Sequence, residues 1–197
     1  MNTDALAAEL HQAGVVRFGS FTLKDGRQSP IYFDLRVLIA RPTLLRNIGQ
    51  AMAEKARSIP HDVLAGLPYA GLPIAVAMSI ESDTPLVYPR KEAKEYGTKK
   101  RVEGVFEAGA RALMIDDVIT SGGAKLEAIE PLREAGLVVE DILVVVDREQ
   151  ADPSVLANAG VRLHSLVRVS EVLDSLGRSG AVASEDIARA RAFLENG

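Results

Sequence analysis

Two adjacent carboxylates and a small-residue stretch stand at the end of an apolar run near the middle of the chain. The run covers residues 112–115, the acids are Asp116 and Asp117, and the letters Thr-Ser-Gly-Gly-Ala follow at 120–124. Glycines let a backbone approach a ligand closely, so successive N–H groups can point at one anion. A helix that begins just after the stretch adds its positive N-terminal dipole. The pattern therefore predicts a monophosphate site with two added hydroxyl donors.

The two acids next to this phosphate site narrow the type of ligand. A carboxylate would repel a phosphate that it touched, whereas it accepts hydrogen bonds from the vicinal hydroxyl groups of a sugar. The pattern thus favours a sugar phosphate, with its diol on the acids. The alternative is a buried strand that ends in a capped turn, with Asp117 satisfied by backbone N–H groups. Neither a Walker ending, Gly-Lys-Ser/Thr, nor a Gly-x-Gly-x-x-Gly dinucleotide fingerprint is present.

The elements that must position these residues follow from the hydrophobic pattern. Five apolar runs, at 63–67, 85–88, 112–115, 142–146 and 161–167, are typical of strands buried on both faces of a sheet. Helical segments, at 41–57, 72–80 and 125–135, lie between several of them. This alternation predicts an α/β fold with a parallel sheet, which binds ligands at the carboxyl ends of its strands. Pro131 lies inside the third helical segment, so we expect a short or bent helix there.

The two ends of the chain lie outside this alternation. Residues 3–12 and 184–194 have the composition of helices, and turn signals occur between residues 19 and 34. We expect these segments to form a small cap on the sheet. The expected organisation is one domain over residues 1–197, with a hood mainly at 1–40, a core at about 41–170 and a helical tail at 171–197.

Composition and charge exclude several classes of function. A chain of 197 residues that is 47% apolar and 25% charged is ordinary for a globular domain. Its net charge of −4 gives no argument for nucleic acid or an anionic membrane as partner. The absence of cysteine excludes disulfides, thiolate metal sites and cysteine nucleophiles. Without a signal-peptide pattern or an apolar run long enough for a bilayer, we expect a cytoplasmic protein.

Four motifs resemble those of the orotate phosphoribosyltransferases, a family of type I phosphoribosyltransferases, and occur in that family's order. They are an N-terminal signature at 18–26 and 29–34, a catalytic loop at 90–99, a motif for 5-phosphoribosyl 1-pyrophosphate (PRPP) at 112–124, and an arginine-bearing segment at 147–150. The resemblance implies transfer of the phosphoribosyl group from PRPP to orotate, with Mg²⁺, giving orotidine 5′-monophosphate and pyrophosphate. It also implies a central parallel sheet flanked by helices, an N-terminal hood, and a homodimer in which the mobile catalytic loop reaches the other subunit's active site.

The resemblance also assigns roles to residues. Lys94, Asp116 and Asp117 would be catalytic, while Mg²⁺ would be held mainly by PRPP and water, with no protein ligand assigned. The positions that would bind PRPP are Arg90, Lys91, Lys94, Tyr96, Asp116, Asp117, Val118, Ile119, Thr120, Ser121, Gly122, Gly123 and Ala124. The positions that would bind orotate are Lys24, Tyr32, Phe33, Thr120 and Arg148.

The charged segment at 90–104 has two interpretations. Its composition alone favours a solvated hairpin tip, whereas the resemblance favours a lid that closes over PRPP and excludes water. In the second case Lys94, with Lys91 and Lys99, would stabilise the negative charge of the departing pyrophosphate. We then expect Lys94→Ala to reduce turnover strongly and to leave the fold intact.

Alternatives also remain for the residues assigned to orotate. The guanidinium of Arg148 can pair with the orotate carboxylate or form a surface ion pair with Asp147 or Glu149. Tyr32 and Phe33 can stack on the pyrimidine or belong to the core of the hood. The three histidines show no metal-ligand spacing and are interpreted as structural or surface residues; they are His11, His61 and His164.

Two positions depart from the pattern of many bacterial members. Ala70 stands where those members carry a lysine, which removes one contact to pyrophosphate, and Tyr96 stands in place of a histidine. A tyrosine is expected to donate a hydrogen bond there, since its reference pKa is about 10. Two other functions stay open: a purine or uracil phosphoribosyltransferase, and a PRPP-sensing regulator that does no chemistry. A regulator would be expected to carry a DNA-binding segment or a basic face.

Overall fold

The computed structural model describes residues 2–23, 26–90 and 101–195. Within them, strands form a six-stranded sheet and a separate two-stranded sheet. The strands are β1 Val16–Thr22, β2 Gln28–Phe33, β3 Val63–Gly66, β4 Leu86–Pro89, β5 Val102–Glu103, β6 Arg111–Ile119, β7 Val138–Asp147 and β8 Arg162–Arg168. The helices are α1 Thr3–Gln12, α2 Pro42–Ala56, α3 Gly71–Ser82, α4 Gly122–Glu134, α5 Pro153–Asn158, α6 Val169–Arg178 and α7 Ser184–Glu195, and a 3-10 helix spans Leu35–Ala40.

The larger sheet has the order β5-β4-β3-β6-β7-β8, and all its neighbouring strands are parallel except the pair β4–β5. The chain builds outward from β3 on one side and then returns to place β6 on the other. Ligands in open α/β sheets bind where the strand order reverses in this way, at the carboxyl ends of the strands. The fold therefore places its crevice between the ends of β3 and β6. The predicted α/β class with a central, mostly parallel sheet is confirmed.

The core lies on both faces of this sheet, which explains the continuous apolar strands. On one face, side chains of α2, α3 and α6 pack against the sheet, and the cluster extends to α1 and the hood. On the other face, Ile129 and Leu132 of α4 and Leu156 of α5 pack against the sheet. Burial of both faces removes the polar alternation that a half-exposed strand would show. Among the described residues, none of the helices has the length and apolar character that a membrane span requires.

The strand that carries the acid pair is longer than the hydrophobic pattern indicated. Residues 112–115 were expected as its extent, but β6 continues to Ile119 because it stays paired with β7 as far as Asp147. Asp116 and Asp117 therefore lie inside the strand and not after it. Interstrand hydrogen bonds hold their backbone in place, so the acids stand on a rigid element.

The hood is a two-stranded antiparallel sheet formed by β1 and β2. It carries Phe33, which is partly buried and packs against the main core. Helix α7, near the carboxyl end of the described chain, packs against the same two strands. The hood near the amino terminus and helix α7 near the carboxyl terminus are thus in contact with each other. The predicted helices at 3–12 and 184–194 are both present, the second extending one residue further to Glu195.

Pro131 does not shorten its helix. We expected a short or bent helix there, and the short form is wrong, since α4 continues through Pro131 to Glu134 over 13 residues. The proline lies in the last turn, where its missing N–H removes one bond, and the carbonyl of Pro131 still accepts a bond from Ala135 at 3.2 Å. Leu132, the next residue, is fully buried and anchors this last turn in the core.

Candidate active site

The carboxyl end of β6 brings the acid pair against the start of α3. Asp116 is buried, and its Oδ1 accepts a hydrogen bond of 2.8 Å from the backbone N–H of Asp117. A Cβ atom added to Gly71, the first residue of α3, would lie 2.8 Å from the Cα of Asp116. A side chain at this position would therefore collide with the backbone of β6. The glycine allows the β3–α3 connection, which holds Pro68, Tyr69 and Ala70, to reach the acids.

Lys125, absent from the sequence-based predictions, completes the surroundings of Asp116. It lies in the first turn and a half of α4, and its Nζ pairs with Oδ2 of Asp116. Only 12% of the lysine side chain and 11% of the aspartate side chain are exposed, so water screens the pair weakly. Both carboxylate oxygens of Asp116 are thus engaged inside the protein. In the sequence, Lys125 could have been noticed because a cation stands near a helix N-terminus, where the helix dipole disfavours it.

Asp117 has a different environment. Burial, together with the charge of the adjacent Asp116, raises the pKa of Asp117 to about 7. Lys125 and a hydrogen bond from the backbone N–H of Val118 oppose this rise without cancelling it. The structural alternative, a carboxylate satisfied by backbone N–H groups, would lower the pKa. Asp117 is therefore the member of the pair that has a raised pKa and no direct ion pair with Lys125.

The small-residue stretch after β6 is divided between the end of the strand and α4: Thr120 and Ser121 precede the helix, and residues 122–124 lie in its first turn. Ser121 is the N-cap residue, with extended backbone (φ −140°, ψ 147°), and its side chain makes no capping hydrogen bond. Gly122, Gly123 and Ala124 open the helix, where backbone N–H groups have no intrahelical partner. These N–H groups and the helix dipole have the chemistry that an anion site requires, at the place where a phosphate was predicted to bind.

The other predicted residues of this segment differ in what they can offer. Thr120 is exposed, so its hydroxyl is accessible to a ligand. Val118 is partly buried, and Ile119 is fully buried in the core. The carbonyl of Ile119 accepts a hydrogen bond from the backbone N–H of Arg148 at 3.1 Å. Val118 and Ile119 therefore hold the end of β6 in place and link residues 120–124 to the end of β7.

The stem of the predicted catalytic loop lies beside this helix start. Arg90 and Arg101, which flank the segment 91–100, are joined by a backbone hydrogen bond of 2.8 Å. Arg90 also pairs with Glu103 at 2.8 Å, and Arg101 pairs with Glu134 of α4 at 2.6 Å. A cavity of about 320 Å³ separates the stem from α4 and the β3–α3 connection; its lining includes Leu67, Pro68, Arg90, Arg101, Ala124 and Glu127. The segment 91–100 is therefore attached next to the phosphate site.

Arg148 follows the next strand, β7, and its guanidinium has no ion-pair partner among the described residues. Its Nε is buried without a hydrogen-bond partner, and it forms no ion pair with Asp147 or Glu149 among the described residues. Those two acids have other partners: Asp147 accepts the N–H of Glu149 at 2.8 Å, and Glu149 accepts the N–H of Ser170 at 2.9 Å. Burial and the charge of Arg27, from the hood, lower the pKa of Arg148. A carboxylate ligand would supply the missing partner.

The two aromatic candidates of the hood have separate surroundings. The ring of Tyr32 stacks on Phe21, with centroids 5.4 Å apart, and the guanidinium of Arg17 lies 5.4 Å from the centre of the Tyr32 ring. Its hydroxyl accepts a hydrogen bond from Arg36 at 3.1 Å. Phe33 packs on the main core. Both rings thus have structural contacts, Tyr32 within the hood and Phe33 against the main core.

Several predicted positions lie outside the described residues. They are Lys24 of the hood and Lys91, Lys94, Tyr96 and Lys99 of the loop. Arg27, three residues after Lys24, marks where this hood segment comes close to the site, because its charge acts on Arg148. Arg27 and Lys125 are described neighbours of the predicted site that the sequence patterns did not indicate.

Comparison with known proteins agrees with this geometry. The family model described as "Phosphoribosyl transferase domain" matches residues 38–161, which include β3, β6 and α4. An orotate phosphoribosyltransferase from Cenarchaeum symbiosum is 41% identical over 186 residues, covering 92% of this chain and 93% of the relative. The chain belongs to the orotate phosphoribosyltransferase family. Membership accounts for the order of its motifs and for the acid pair beside the helix start.

Solved structures support the same assignment. The crystal structure of orotate phosphoribosyltransferase from Aeropyrum pernix superposes with a TM-score of 0.77 at 34% identity, covering 88% of this chain and 98% of that one. The UMP synthase of Leishmania donovani superposes with a TM-score of 0.91 at 42% identity over 100% of this chain, but only 43% of that chain is covered. This chain thus spans about two fifths of the UMP synthases that it matches.

Proposed function

We propose that this chain catalyses the transfer of the 5-phosphoribosyl group from PRPP to orotate in the cytoplasm, as a homodimer and with Mg²⁺. The observation that carries the proposal is the meeting of three features at adjacent strand ends. These are the acid pair of β6, the uncapped first turn of α4, and the unpaired guanidinium of Arg148 after β7. Each feature fits one part of the two substrates.

The geometry suggests a division of roles. The 5′-phosphate binds the backbone N–H groups of residues 122–124, and Asp117 accepts hydrogen bonds from the ribose hydroxyls. Arg148 binds the orotate carboxylate and so turns the base toward the sugar. A ring nitrogen of orotate forms the new bond to the anomeric carbon and loses its proton to water or pyrophosphate, while the bond from that carbon to the pyrophosphate oxygen breaks and its electrons leave with pyrophosphate. Carboxylates beside the ribose stabilise the positive charge that develops there.

Mg²⁺ belongs on the pyrophosphate side of this arrangement. It takes oxygen ligands, dehydrates reluctantly and is often held by substrate phosphates and water. The negative charge of the acid pair at the same sheet edge suits a cation carried in by the substrate. The bound ion would neutralise negative charge on the leaving group. We assign its coordination to the substrate and water, with no protein ligand.

A homodimer would complete the site. Exposed apolar side chains suit such an interface: Ile80 of α3 is 76% exposed, Tyr69 before α3 is 74% exposed and Ile39 is 68% exposed. Val76, four residues before Ile80, lies on the same side of α3 and is also exposed. The segment 91–100 then reaches the partner's site, as the resemblance implies. Its lysines would stabilise pyrophosphate there.

Mixing two inactive variants tests the shared site. If the loop crosses the interface, Lys94→Ala and Asp117→Asn subunits complement each other, because a mixed dimer holds one site with both residues. Random reassociation should restore about a quarter of wild-type activity, since half of the dimers are mixed and each has one intact site. Activity confined to background in the mixture, with dimers shown by sedimentation, would contradict the crossing.

A substrate assay tests the reaction itself. Purified protein, PRPP and Mg²⁺ are mixed in turn with orotate, adenine, guanine and uracil, and release of pyrophosphate is measured. We expect turnover with orotate alone. Turnover with another base and not with orotate would overturn the assignment of substrate. Binding of PRPP without release of pyrophosphate from any base would favour a sensor.

A further inference from the structure

The ion pair between Lys125 and Asp116 is the feature of the site that the proposed reaction does not use. The two side chains are largely buried, and the ammonium group of Lys125 pairs with one carboxylate oxygen of Asp116. The other oxygen of Asp116 is taken by the backbone N–H of Asp117 at 2.8 Å. Asp116 therefore faces the protein with both oxygens, although it lies beside the phosphate site.

The stability of α4 does not explain a lysine at this position. A cation so near a helix N-terminus opposes the helix dipole, and a buried ammonium group loses hydration. The attraction between Lys125 and Asp116 offsets part of this cost in free energy. Replacement of a buried ion pair by apolar residues of similar volume is often neutral or stabilising. Folding therefore does not by itself require a lysine at this position.

We propose that Lys125 is a positioning residue of the phosphoribosyl site, which binds Asp116 and offsets its charge so that Asp117 and the first turn of α4 can receive an anionic sugar phosphate. The proposal rests on the assignment of PRPP as ligand and adds the residue that makes an acidic strand end compatible with it. Without the lysine, two adjacent carboxylates would stand beside the phosphate with no fixed counter-charge among the described residues.

The charges around Asp117 support this role. Asp116 of β6 raises its pKa, and Lys125 of α4 opposes that effect. The first turn of α3 contributes the uncharged Gly71, and β3 carries no charged residue. On β7, Asp147 pairs in register with Ile119, two residues beyond Asp117. Among the described residues, Lys125 is therefore the cation that limits the rise in the pKa of Asp117.

Binding of PRPP measures this role without any base. We expect Lys125→Met, which keeps the length of the side chain and loses its charge, to weaken PRPP binding at pH 8 at least tenfold by calorimetry, because the charge of Asp116 is then uncompensated. Lys125→Arg should restore most of the affinity. Affinity of Lys125→Met equal to or higher than that of the wild type would overturn the proposal.

A second measurement separates charge compensation from a structural role. Carboxyl NMR of the ligand-free protein should show a higher pKa of Asp117 in Lys125→Met than in the wild type, whereas an unchanged pKa would contradict the proposal. Arg133→Met is the matched control on α4, since Arg133 bonds the carbonyls of Val139 and Ala159 at 2.8 and 3.3 Å. It should lower thermal stability and leave PRPP affinity and the pKa of Asp117 unchanged.

These readouts distinguish two kinds of failure. If the wild type binds PRPP and does not use orotate, the proposed substrate is wrong, yet the effect of Lys125 on PRPP binding still decides the proposal for Lys125. If Lys125→Met does not fold, Lys125→Gln provides a second neutral variant for the same binding assay. Wild-type affinity in a folded neutral variant rejects the role of Lys125 whether or not orotate is the substrate.

Discussion

Asp116 on β6 and Asp141 on β7 are buried aspartates on neighbouring strands, and they differ in how completely the carboxylate charge around them is compensated. Asp141 lies towards the amino-terminal half of the sheet, paired in register with Leu113 and Arg162. Arg162 binds it with two hydrogen bonds of 2.9 and 2.6 Å, and His164 adds a third at 2.8 Å. Burial alone would raise the pKa of Asp141, but these bonds outweigh it and hold the pKa below its usual range.

At the other end of the sheet the compensation is incomplete. Lys125 binds Asp116, but the adjacent Asp117 has no cation of its own among the described residues, and its pKa is raised. The difference lies in how many donors meet the carboxylates. Asp141 receives three side-chain hydrogen bonds for one charge, which is the arrangement of a structural group. The pair on β6 keeps one carboxyl group with a raised pKa and no cation of its own among the described residues, and such perturbed groups are common at ligand sites.

The largest expected difference concerns turnover. Asp117→Asn removes the carboxylate that would bind ribose and stabilise its developing charge, so kcat/KM for PRPP should fall about 100-fold or more. Asp141→Asn makes the same chemical change in the structural cluster and should stay within about threefold of the wild type in kcat/KM. Steady-state kinetics on both variants provide the check. Equal losses in the two would remove the functional distinction between the strand ends.

A second contrast concerns two arginines. Arg148→Met should raise the KM for orotate about 30-fold, as expected for the loss of a charge-assisted hydrogen bond to a carboxylate, with little change in the KM for PRPP. Arg162→Met, which removes the partner of Asp141, should leave both KM values near those of the wild type. Substrate-saturation curves for orotate and for PRPP separate the two. An unchanged orotate KM in Arg148→Met would remove Arg148 from the base site.

The same variants should rank in the reverse order for stability. Asp141→Asn leaves a buried amide against a guanidinium and an imidazole, and the free energy of unfolding should fall by about 2 kcal/mol. Asp117→Asn removes a carboxylate that burial destabilises, so its stability at pH 8 should equal or exceed that of the wild type. Urea unfolding at one pH measures both. A large loss of stability in Asp117→Asn would show that Asp117 is structural.

The smallest expected effect is a difference in pH dependence, and its sign differs between the two acids. The folded state holds the proton of Asp117 up to about pH 7, whereas an unfolded aspartate releases it near pH 4, so Asp117 lowers stability as the pH rises from about 4 to 7. Asp141 has a lowered pKa, so its contribution is present above about pH 4 and is lost in more acidic solution.

Unfolding curves between pH 3 and 8 test these signs. Relative to the wild type, Asp117→Asn should lose about 1 kcal/mol or more of pH dependence between pH 4 and 7. Asp141→Asn should change the curve mainly below about pH 4. If Asp141→Asn instead removed the slope between pH 4 and 7, the assignment of the two pKa shifts would be reversed.

Much of the fold and part of the site could be predicted from residue patterns. Continuous apolar runs indicated a parallel sheet, and the letters around Asp116 and Gly122 indicated a sugar phosphate at a strand end. The extent of β6 was wrong because pairing with β7 carries polar residues into the strand. The expected short helix at Pro131 was wrong because a proline in the last turn removes a single bond and a buried leucine anchors that turn.

Local sequence patterns determined the chemical types that the site contains: adjacent carboxylates, small residues that free backbone N–H groups, and an arginine after an apolar strand. They could not determine which charges neutralise one another, because Coulomb interactions and desolvation depend on distance and burial between elements. Only the tertiary structure brings Lys125 against Asp116, Arg27 near Arg148, and Arg162 with His164 onto Asp141. Those pairings give Asp141 a lowered pKa and leave Asp117 with a raised one.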